Sequence, residues 1–380
     1  MTYVPLSELM ATKTGSVDPS KYQAEAFDLY SIPAFDRGAP EVADGSAIGS
    51  AKQVVEPQDV LLSKIVPHIR RTWVVGEDRG RRLIASGEWI VFRSPRAEPS
   101  YLRQVLRSDP FHVQFMQTVA GVGGSLLRAR PVQVARISIP LPPLPEQRRI
   151  AAILDQADAL RAKRRESLAQ LDSLTQSIFI EMFGDAAQFS SVPLSDLCEL
   201  ITDGTHQTPT YADAGVTFLS AKNVTSGYID WENIKFIPQS LHLELHRRLA
   251  PKLGDVLLAN NGTTGVAALV DRDCTFDIYV SLALLRPKKD VLAAYLLAAI
   301  NSPICKKQFN DSLKGIGVPN LHLKEIRATK IPMPPLAVQR SFAARIQAVE
   351  SLKTTHRAAL SDLDALFASL QHRAFAGQLS

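Results

Sequence analysis

The sequence predicts an α+β protein: two mixed α/β segments joined by two long antiparallel helices forming a coiled coil, with an internal pseudo-twofold repeat. Three observations lead there. The word IPLPPLPEQRRIAAIL, from Ile139, returns as IPMPPLAVQRSFAARI, from Ile331, at an offset of 192 residues. Each copy opens a stretch without Gly or Pro, running from Glu146 to Phe183 and from Ala337 to Phe375. Before each stretch lie short β-rich runs broken by Gly, Pro and Asp, the punctuation of turns.

The repeat comes first, because a fixed period decides architecture before any single element does. Val4–Pro5–Leu6–Ser7–Glu8–Leu9 recurs as Val192–Pro193–Leu194–Ser195–Asp196–Leu197, and Asp59–Val60–Leu61–Leu62 as Asp255–Val256–Leu257–Leu258. Tyr101–Leu102 recurs as Tyr295–Leu296, and Gly121–Val122–Gly123 as Gly315–Ile316–Gly317. The order of the words is kept. The expected division is 1–138, a first globular segment; 139–185, its helix; 186–330, a second globular segment; and 331–380, the second helix.

In the globular segments, Trp73–Val74–Val75, Trp89–Ile90–Val91–Phe92 and Val280 to Leu285 read as strands, and helices are expected near 101–117 and 295–309. Each long helix spans roughly 38 residues, about 55 Å at 1.5 Å per residue. Pro143 and Pro145 suit its first turn, where a missing N–H costs little. Gly184 and Gly377 stand where the helices should stop. A helix of this length needs a partner. Ile150, Ile153, Ala157 and Leu160, then Leu168, Leu171, Thr175, Ile178 and Met182, mark a stripe on the first. Phe342, Ile346, Val349 and Leu352, then Leu360, Leu363, Phe367 and Leu370, mark one on the second. Heptad spacing favours pairing of the two helices in a coiled coil; the alternative is that each packs on its own globular segment.

The composition excludes several classes. The chain has 380 residues, is nearly half hydrophobic and carries a net charge of +5. Its three cysteines, Cys198, Cys274 and Cys305, form neither a disulfide framework nor a CxxC zinc site, which fits a reducing compartment. The start, Met1–Thr2–Tyr3–Val4–Pro5, has no basic n-region or apolar h-region, and the apolar run Val291 to Ile300 is too short to span a bilayer. A cytoplasmic protein without membrane contact is expected.

The residues then resemble a known family. The helix-entry word, with a leucine-bearing helix ending in FGD, is similar to the specificity subunit of type I restriction–modification systems. Its second copy carries Ala337 and Val338 where Pro-Glu is usual. LITDGTHQTPTY, from Leu200, and FLSAKNV, from Phe218, resemble the opening of that family's target recognition domains; the first segment has DLYSIPAFDRG instead. The resemblance implies two target recognition domains, each reading one half of a bipartite double-stranded DNA target. It implies helices that set the spacing and dock two methyltransferase subunits, with restriction–translocase subunits joining for cleavage. It also implies no catalysis by the chain itself.

The residues read alone agree on that last point. There is no NPPY- or DPPY-type methylation motif, no FxGxG-like cofactor loop and no GxxxxGK[ST] phosphate loop. The glycine word at Gly121–Ser125 has no following Lys and reads as a flexible loop, which in a DNA reader would contact the backbone. His242 and His246 stand at i, i+4, as metal ligands can, yet no third ligand is evident, so a solvated helix face is expected. No catalytic residue, metal or cofactor is therefore assigned.

DNA contact needs cations for phosphates and amides or hydroxyls for base edges. Between Leu61 and Arg107 stand ten Lys or Arg against four acids, a local excess of +6. The candidate contacts of the second segment are Thr205, His206, Lys222, Asn223, Asn260, Asn261, Thr263 and Thr264, with Lys314 and Asn320 beside the glycine word. The Asn260 loop also reads as a plain Asn-Gly turn. By the repeat, Lys64, His68, Arg70 and Arg71 occupy the matching place in the first segment; Trp73 nearby reads as core. On the first helix, Arg161, Lys163, Arg164 and Arg165 form a basic cluster, open to two readings: a solvated face, or contact with the methyltransferase or the DNA spacer. The second function class is a duplicated coiled-coil scaffold that binds proteins and not DNA.

Overall fold

A computed structural model describes residues 2–121, 127–184, 188–313 and 319–379. Both glycine words, apart from Gly121, and Lys314 lie outside the described residues. The chain separates into two compact units, residues 1–165 with 359–380, and residues 166–358. The division falls inside each long helix (Leu144–Phe183 and Leu336–Phe375), not at the helix starts.

In the first unit a five-stranded sheet runs in the order Ser16–Val17, Lys52–Val54, Arg82–Ala85, Ala26–Tyr30, Glu41–Asp44. A three-stranded sheet has Val60–Ser63 between Thr72–Val74 and Trp89–Phe92. Val60–Ser63 and Trp89–Phe92 are buried throughout, so they read as continuous apolar runs without alternation. Trp73 packs edge-on to Tyr30, with ring centroids 4.6 Å apart, and near Phe35 and Trp89, as a core residue does. The expected helix over 101–117 is two, Pro99–Arg107 and Asp109–Met116. Ser108 ends the first, and its hydroxyl caps the second by accepting from the Phe111 N–H.

The second unit has a four-stranded sheet in the order Cys198–Asp203, Leu282–Pro287, Val256–Ala259, Ala267–Leu269. A three-stranded sheet has Val216–Leu219 between Lys235–Ile237 and Phe276–Ile278. The expected strand at Val280 begins at Leu282 instead, because Val280 and Ser281 form the turn out of the Tyr279 bridge. Ser302 divides the helical stretch near 295–309 into Ala293–Asn301 and Pro303–Ser312, again by capping.

The proline-rich word has a structural reason in each unit. Ile139 lies in Ser138–Pro140, which pairs antiparallel with Tyr3–Pro5. Ile331 lies in Lys330–Pro332, paired with Ser191–Pro193. The buried Gln147 donates to the carbonyls of Arg96 and Pro142 at 2.9 and 2.8 Å and accepts from the Glu98 N–H at 2.8 Å. Gln339 donates to Asp290 and Pro334 at 3.1 and 3.0 Å and accepts from Leu292 at 2.8 Å. The Tyr101 hydroxyl donates to the Pro140 carbonyl at 2.8 Å, and Tyr295 does the same to Pro332. Both helices thus leave the globular part through a fully satisfied buried polar clamp, the costly kind of group to leave unpaired.

Each unit pairs a piece of one long helix with an antiparallel piece of the other. In the first, Ile150, Leu154 and Ala157 share a core with Leu6, Phe92 and Tyr101, and with Phe367 and Phe375. In the second, Phe179 and Phe183 pack against Phe342 and Tyr295, edge-on except for the stacked Phe179–Tyr295 pair. Helix-on-helix and helix-on-globule contact therefore coexist in both. Two members of the expected stripe are corrected. Leu160 and Leu352 are about half exposed, because Arg161 and Lys353, one residue on, turn into the seam. Arg161 bonds Asp158 at 2.9 Å and Asp364 at 2.6 Å and lies over the Phe367 ring. Lys353 bonds Glu350 at 2.7 Å and Asp172 at 2.9 Å. No helix among the described residues is long and apolar enough to cross a membrane.

Candidate nucleic-acid interface

The same backbone platform ends one central strand in each unit. After Val60–Ser63, Lys64 donates its N–H to Glu88 and its carbonyl accepts from Ala129 at 2.7 Å. After Val256–Ala259, Asn260 donates to Ser281 and accepts from Leu321 at 2.8 Å. One residue on, Ile65 bridges Arg128, and Asn261 bridges Asn320. Buried salt bridges secure the strands behind: Arg93 grips Asp59 with two 2.7 Å bonds, and Arg286 grips Asp255 at 2.8 and 2.7 Å. In each case the buried carboxylate also accepts a local N–H, from Glu56 or Lys252, closing the turn into the strand.

What stands on the platform differs. In the first unit Lys64 lines a cleft of about 520 Å³ with Arg128, Arg130, Pro131, Gln133 and Arg136. The three arginines are exposed, and among the described residues only Arg128 has an ion pair, to Glu88 at 3.1 Å. The sequence does not single them out, because in RARPVQVAR (128–136) they are interspersed with apolar residues and lie beyond the cation-rich run that ends at Arg107. The cation-rich run from Lys64 to Arg107 is largely neutralised. Arg70, Arg71, Arg81, Arg82, Arg93, Arg96, Arg103 and Arg107 each pair with a carboxylate, leaving Lys64 and Arg79 outside any ion pair among the described residues.

The loop after Lys64 is strained. Val66 and Arg70 flank the short turn Pro67–Ile69 with φ of 46° and 49°, a region β-branched residues seldom enter. His68 is exposed at its tip. Arg70 bonds Asp109 at 2.6 Å and the Arg107 carbonyl. Arg71 makes two 2.8 Å bonds to Asp36, and its guanidinium holds that carboxyl below its ordinary value. With a side chain only 10% exposed, Arg71 braces the loop and presents little to a ligand.

In the second unit the platform carries amides. Asn260 is buried, and its Oδ1 has no hydrogen-bond partner among the described residues. Gly262 and Gly265, both at φ 79°, turn the loop so that Thr263 is exposed and Thr264 half-exposed. Asn320 faces it across the bridge. A second cleft of about 610 Å³ lies between Thr205–Thr210 and the helix Gln239–Arg248, where Leu241, Glu244, Leu245 and Arg248 face the loop. Gly204 opens that loop because a Cβ there would lie 2.1 Å from the Ile278 carbonyl oxygen. Thr205 donates its N–H to that carbonyl, and Thr208 meets the Tyr279 hydroxyl at 3.1 Å. His206 is exposed, with Nε2 3.1 Å from Asp203. Lys222 is exposed, whereas Asn223 is buried in a capping box: its Oδ1 accepts from the Ser220 N–H and its Nδ2 donates to Asp230 and Asn233. The side chain of Asn223 is thus spent within the fold.

The histidine pair departs from the sequence reading. His242 is buried, and Asp277, from the strand Phe276–Ile278, stands as the third group that the sequence did not reveal. No spacing rule could reveal it, since 35 residues separate Asp277 from His242.

Comparison with known proteins places these features. The family model described as the type I restriction modification DNA specificity domain matches residues 114–171 and 188–362, more than half of the chain. The chain belongs to that family. The MjaVIII specificity subunit of Methanocaldococcus jannaschii is 26% identical over 238 residues, covering 57% of this chain and 56% of that one. The EcoKI specificity subunit of Escherichia coli K12 is 22% identical over 285 residues, covering 68% and 61%. The match thus spans about three fifths of the length of these curated relatives. Among solved structures, a chain from work on complex assembly and conformational transition of the type I R-M system superposes with a TM-score of 0.60 at 25% identity, covering 100% of this chain and 98% of that one. The type I S subunit of M. genitalium shares the fold at 12% identity and a TM-score of 0.56, covering 98% and 96%.

Proposed function

We propose that this chain is the non-catalytic DNA sequence-recognition subunit of a type I restriction–modification complex, working in the cytoplasm. Each globular segment, 1–138 and 186–330, reads one half of a bipartite double-stranded target. The helical segments, 139–185 and 331–380, form an antiparallel coiled coil within a tandem duplication. They set the spacing and dock methyltransferase subunits, two per chain, which restriction–translocase subunits join. One observation carries the reading: an identical backbone platform presents a cationic cleft at Lys64 and an amide cluster at Asn260, as two readers of different half-sites would. Lys64, Arg128, Arg130 and Arg136 contact phosphates. Asn260, Asn261, Thr263, Thr264 and Asn320 contact base edges, with Thr205, His206 and Lys222 at the neighbouring cleft. His68, Arg70 and Lys314 approach the backbone; Arg71 and Asn223 hold their loops.

The test is methylation mapping of host DNA with and without this chain. A bipartite adenine-methylated motif should vanish in its absence, and replacing 1–138 by another recognition domain should change one half of that motif only. A change in both halves would refute the modular reading. Absence of salt-dependent binding to mixed duplexes by the assembled methyltransferase would favour the protein-binding scaffold instead.

A further inference from the structure

We infer that His242, His246 and Asp277 bind one divalent transition-metal ion of the zinc class, which fastens the helix Gln239–Arg248 to the strand Phe276–Ile278. The two histidines project from successive turns of that helix, with ring centroids 4.7 Å apart. Asp277 is central in its strand and 2% exposed. One ligand atom from each residue lies within 4.8 Å of the other two.

The hydrogen bonds leave this cluster incomplete. His242 Nδ1 meets Asp277 Oδ2 at 2.7 Å, which accounts for one edge. His246 Nδ1 stands 3.6 Å from Asp277 Oδ1, too far to bond, and both atoms are buried with no hydrogen-bond partner among the described residues. A buried carboxylate oxygen and a buried ring nitrogen facing one another unsatisfied is a costly arrangement. It is also the arrangement of two donors waiting for one acceptor of electron pairs. Nitrogen and oxygen ligands about 2.0–2.1 Å from a tetrahedral ion lie roughly 3.3 Å apart, so the 3.6 Å edge needs little movement. The 2.7 Å edge opens by about half an ångström. Burial also pushes the Asp277 carboxyl above its ordinary value, with the histidines only partly opposing this. A dication supplies the missing positive charge. Two imidazoles and one carboxylate suit zinc or a neighbouring transition ion and not magnesium or calcium, which prefer all-oxygen sets. The His246 side chain is about one-third exposed, which leaves a water ligand and an entry path.

The position gives such an ion a structural role. Two residues beyond Asp277, Tyr279 bridges Thr205 and contacts Thr208. Two residues beyond His246, Arg248 donates to the Asp203 carbonyl at 2.7 Å. Both ends of the ligand set therefore lead directly to the Thr205 loop, so the ion orders that loop from behind.

The experiment uses the untagged full chain, stripped with a chelator and dialysed. Zinc is titrated calorimetrically and Co²⁺ is followed by its visible spectrum. The expected result is one ion per chain, a cobalt spectrum of tetrahedral intensity and a melting temperature raised by zinc. His246→Gln keeps the His242–Asp277 hydrogen bond and hence the fold. It should match the wild type in chelator and bind zinc on the order of 100-fold more weakly. Asp277→Asn should lose the cobalt spectrum as well. No binding by a folded wild-type chain, or affinity unchanged in His246→Gln, overturns the proposal; the second result means adventitious binding elsewhere.

Discussion

The two units hold the same frame with different force and put different chemistry on it. The frame is a set of buried polar bonds: Gln147 and Gln339 at the helix entries, Tyr101 and Tyr295 on the proline carbonyls, Arg93–Asp59 and Arg286–Asp255 behind the central strands. In the helix seams Arg161 meets Asp158 and Asp364, and Lys353 meets Glu350 and Asp172. These positions recur at the offset of the repeated word, 192 residues, in partner as well as in cation. The platforms do not match: four cations gather at Lys64, while three amides gather at Asn260. The lesson is that geometry is fixed by groups whose bonding is completed inside the fold. Freedom to change lies with groups whose bonding is left for a ligand.

The comparison breaks most sharply at the platforms. Replacing Lys64, Arg128, Arg130 and Arg136 together by Ala should lower the salt slope of DNA binding by about 3 to 4 and cost at least about 100-fold in affinity near physiological salt. The measurement is a titration of binding against salt with the assembled methyltransferase. Replacing Asn260, Asn261 and Asn320 by Ala should leave the slope alone and relax base choice in one half-site; an equal fall in slope would erase the proposed difference. Next come the strand salt bridges. Arg286→Met strands a buried carboxylate and should cost about 3 kcal/mol, read from denaturant unfolding. Arg93→Met should cost less, about 2 kcal/mol, since Arg93 is more exposed and already shared with the exposed Glu56. The helix-entry clamp should treat the units alike. Gln147→Leu and Gln339→Leu each orphan buried partners and should cost about 2 kcal/mol, and a twofold disparity would show that one clamp is decorative. Smallest is the seam. Lys353→Met should change stability by less than about 1 kcal/mol, because Asp172 and Glu350 are exposed enough to rehydrate.

Much of this frame was legible. The long helices, their proline entries and glycine ends follow from gaps in Gly and Pro, and the strands at Trp73 and Trp89 from apolar runs. The seam was read one residue out. Leu160 and Leu352 satisfy an apolar pattern, whereas Arg161 and Lys353 bury their stems and bring acids with them, which periodicity does not weigh. The site was less legible. Net charge along the chain could not show that eight arginines would find carboxylates, since those partners are distant in sequence, as Asp36 is from Arg71 and Asp155 from Arg103. Asn223 looked like a reader because asparagine can be one; its capping box depends on where Asp230 and Asn233 fold. The histidine pair looked solvated because its third member comes from a strand distant in sequence from their helix.

One consequence follows from the way the units divide the chain. The second unit is a single continuous stretch, 166–358, so it can close its core while 359–380 is still unmade. The first unit cannot. Its core needs Phe367, Ala374, Phe375 and Leu379, more than 200 residues after Ile150 and Leu154, which they cover. Until then Ile150, Ala151, Leu154 and Ala157 show an apolar face to whatever is near, which is the condition in which chaperones bind and chains misassociate. During synthesis the order of completion is therefore inverted: the half that is begun first is finished last.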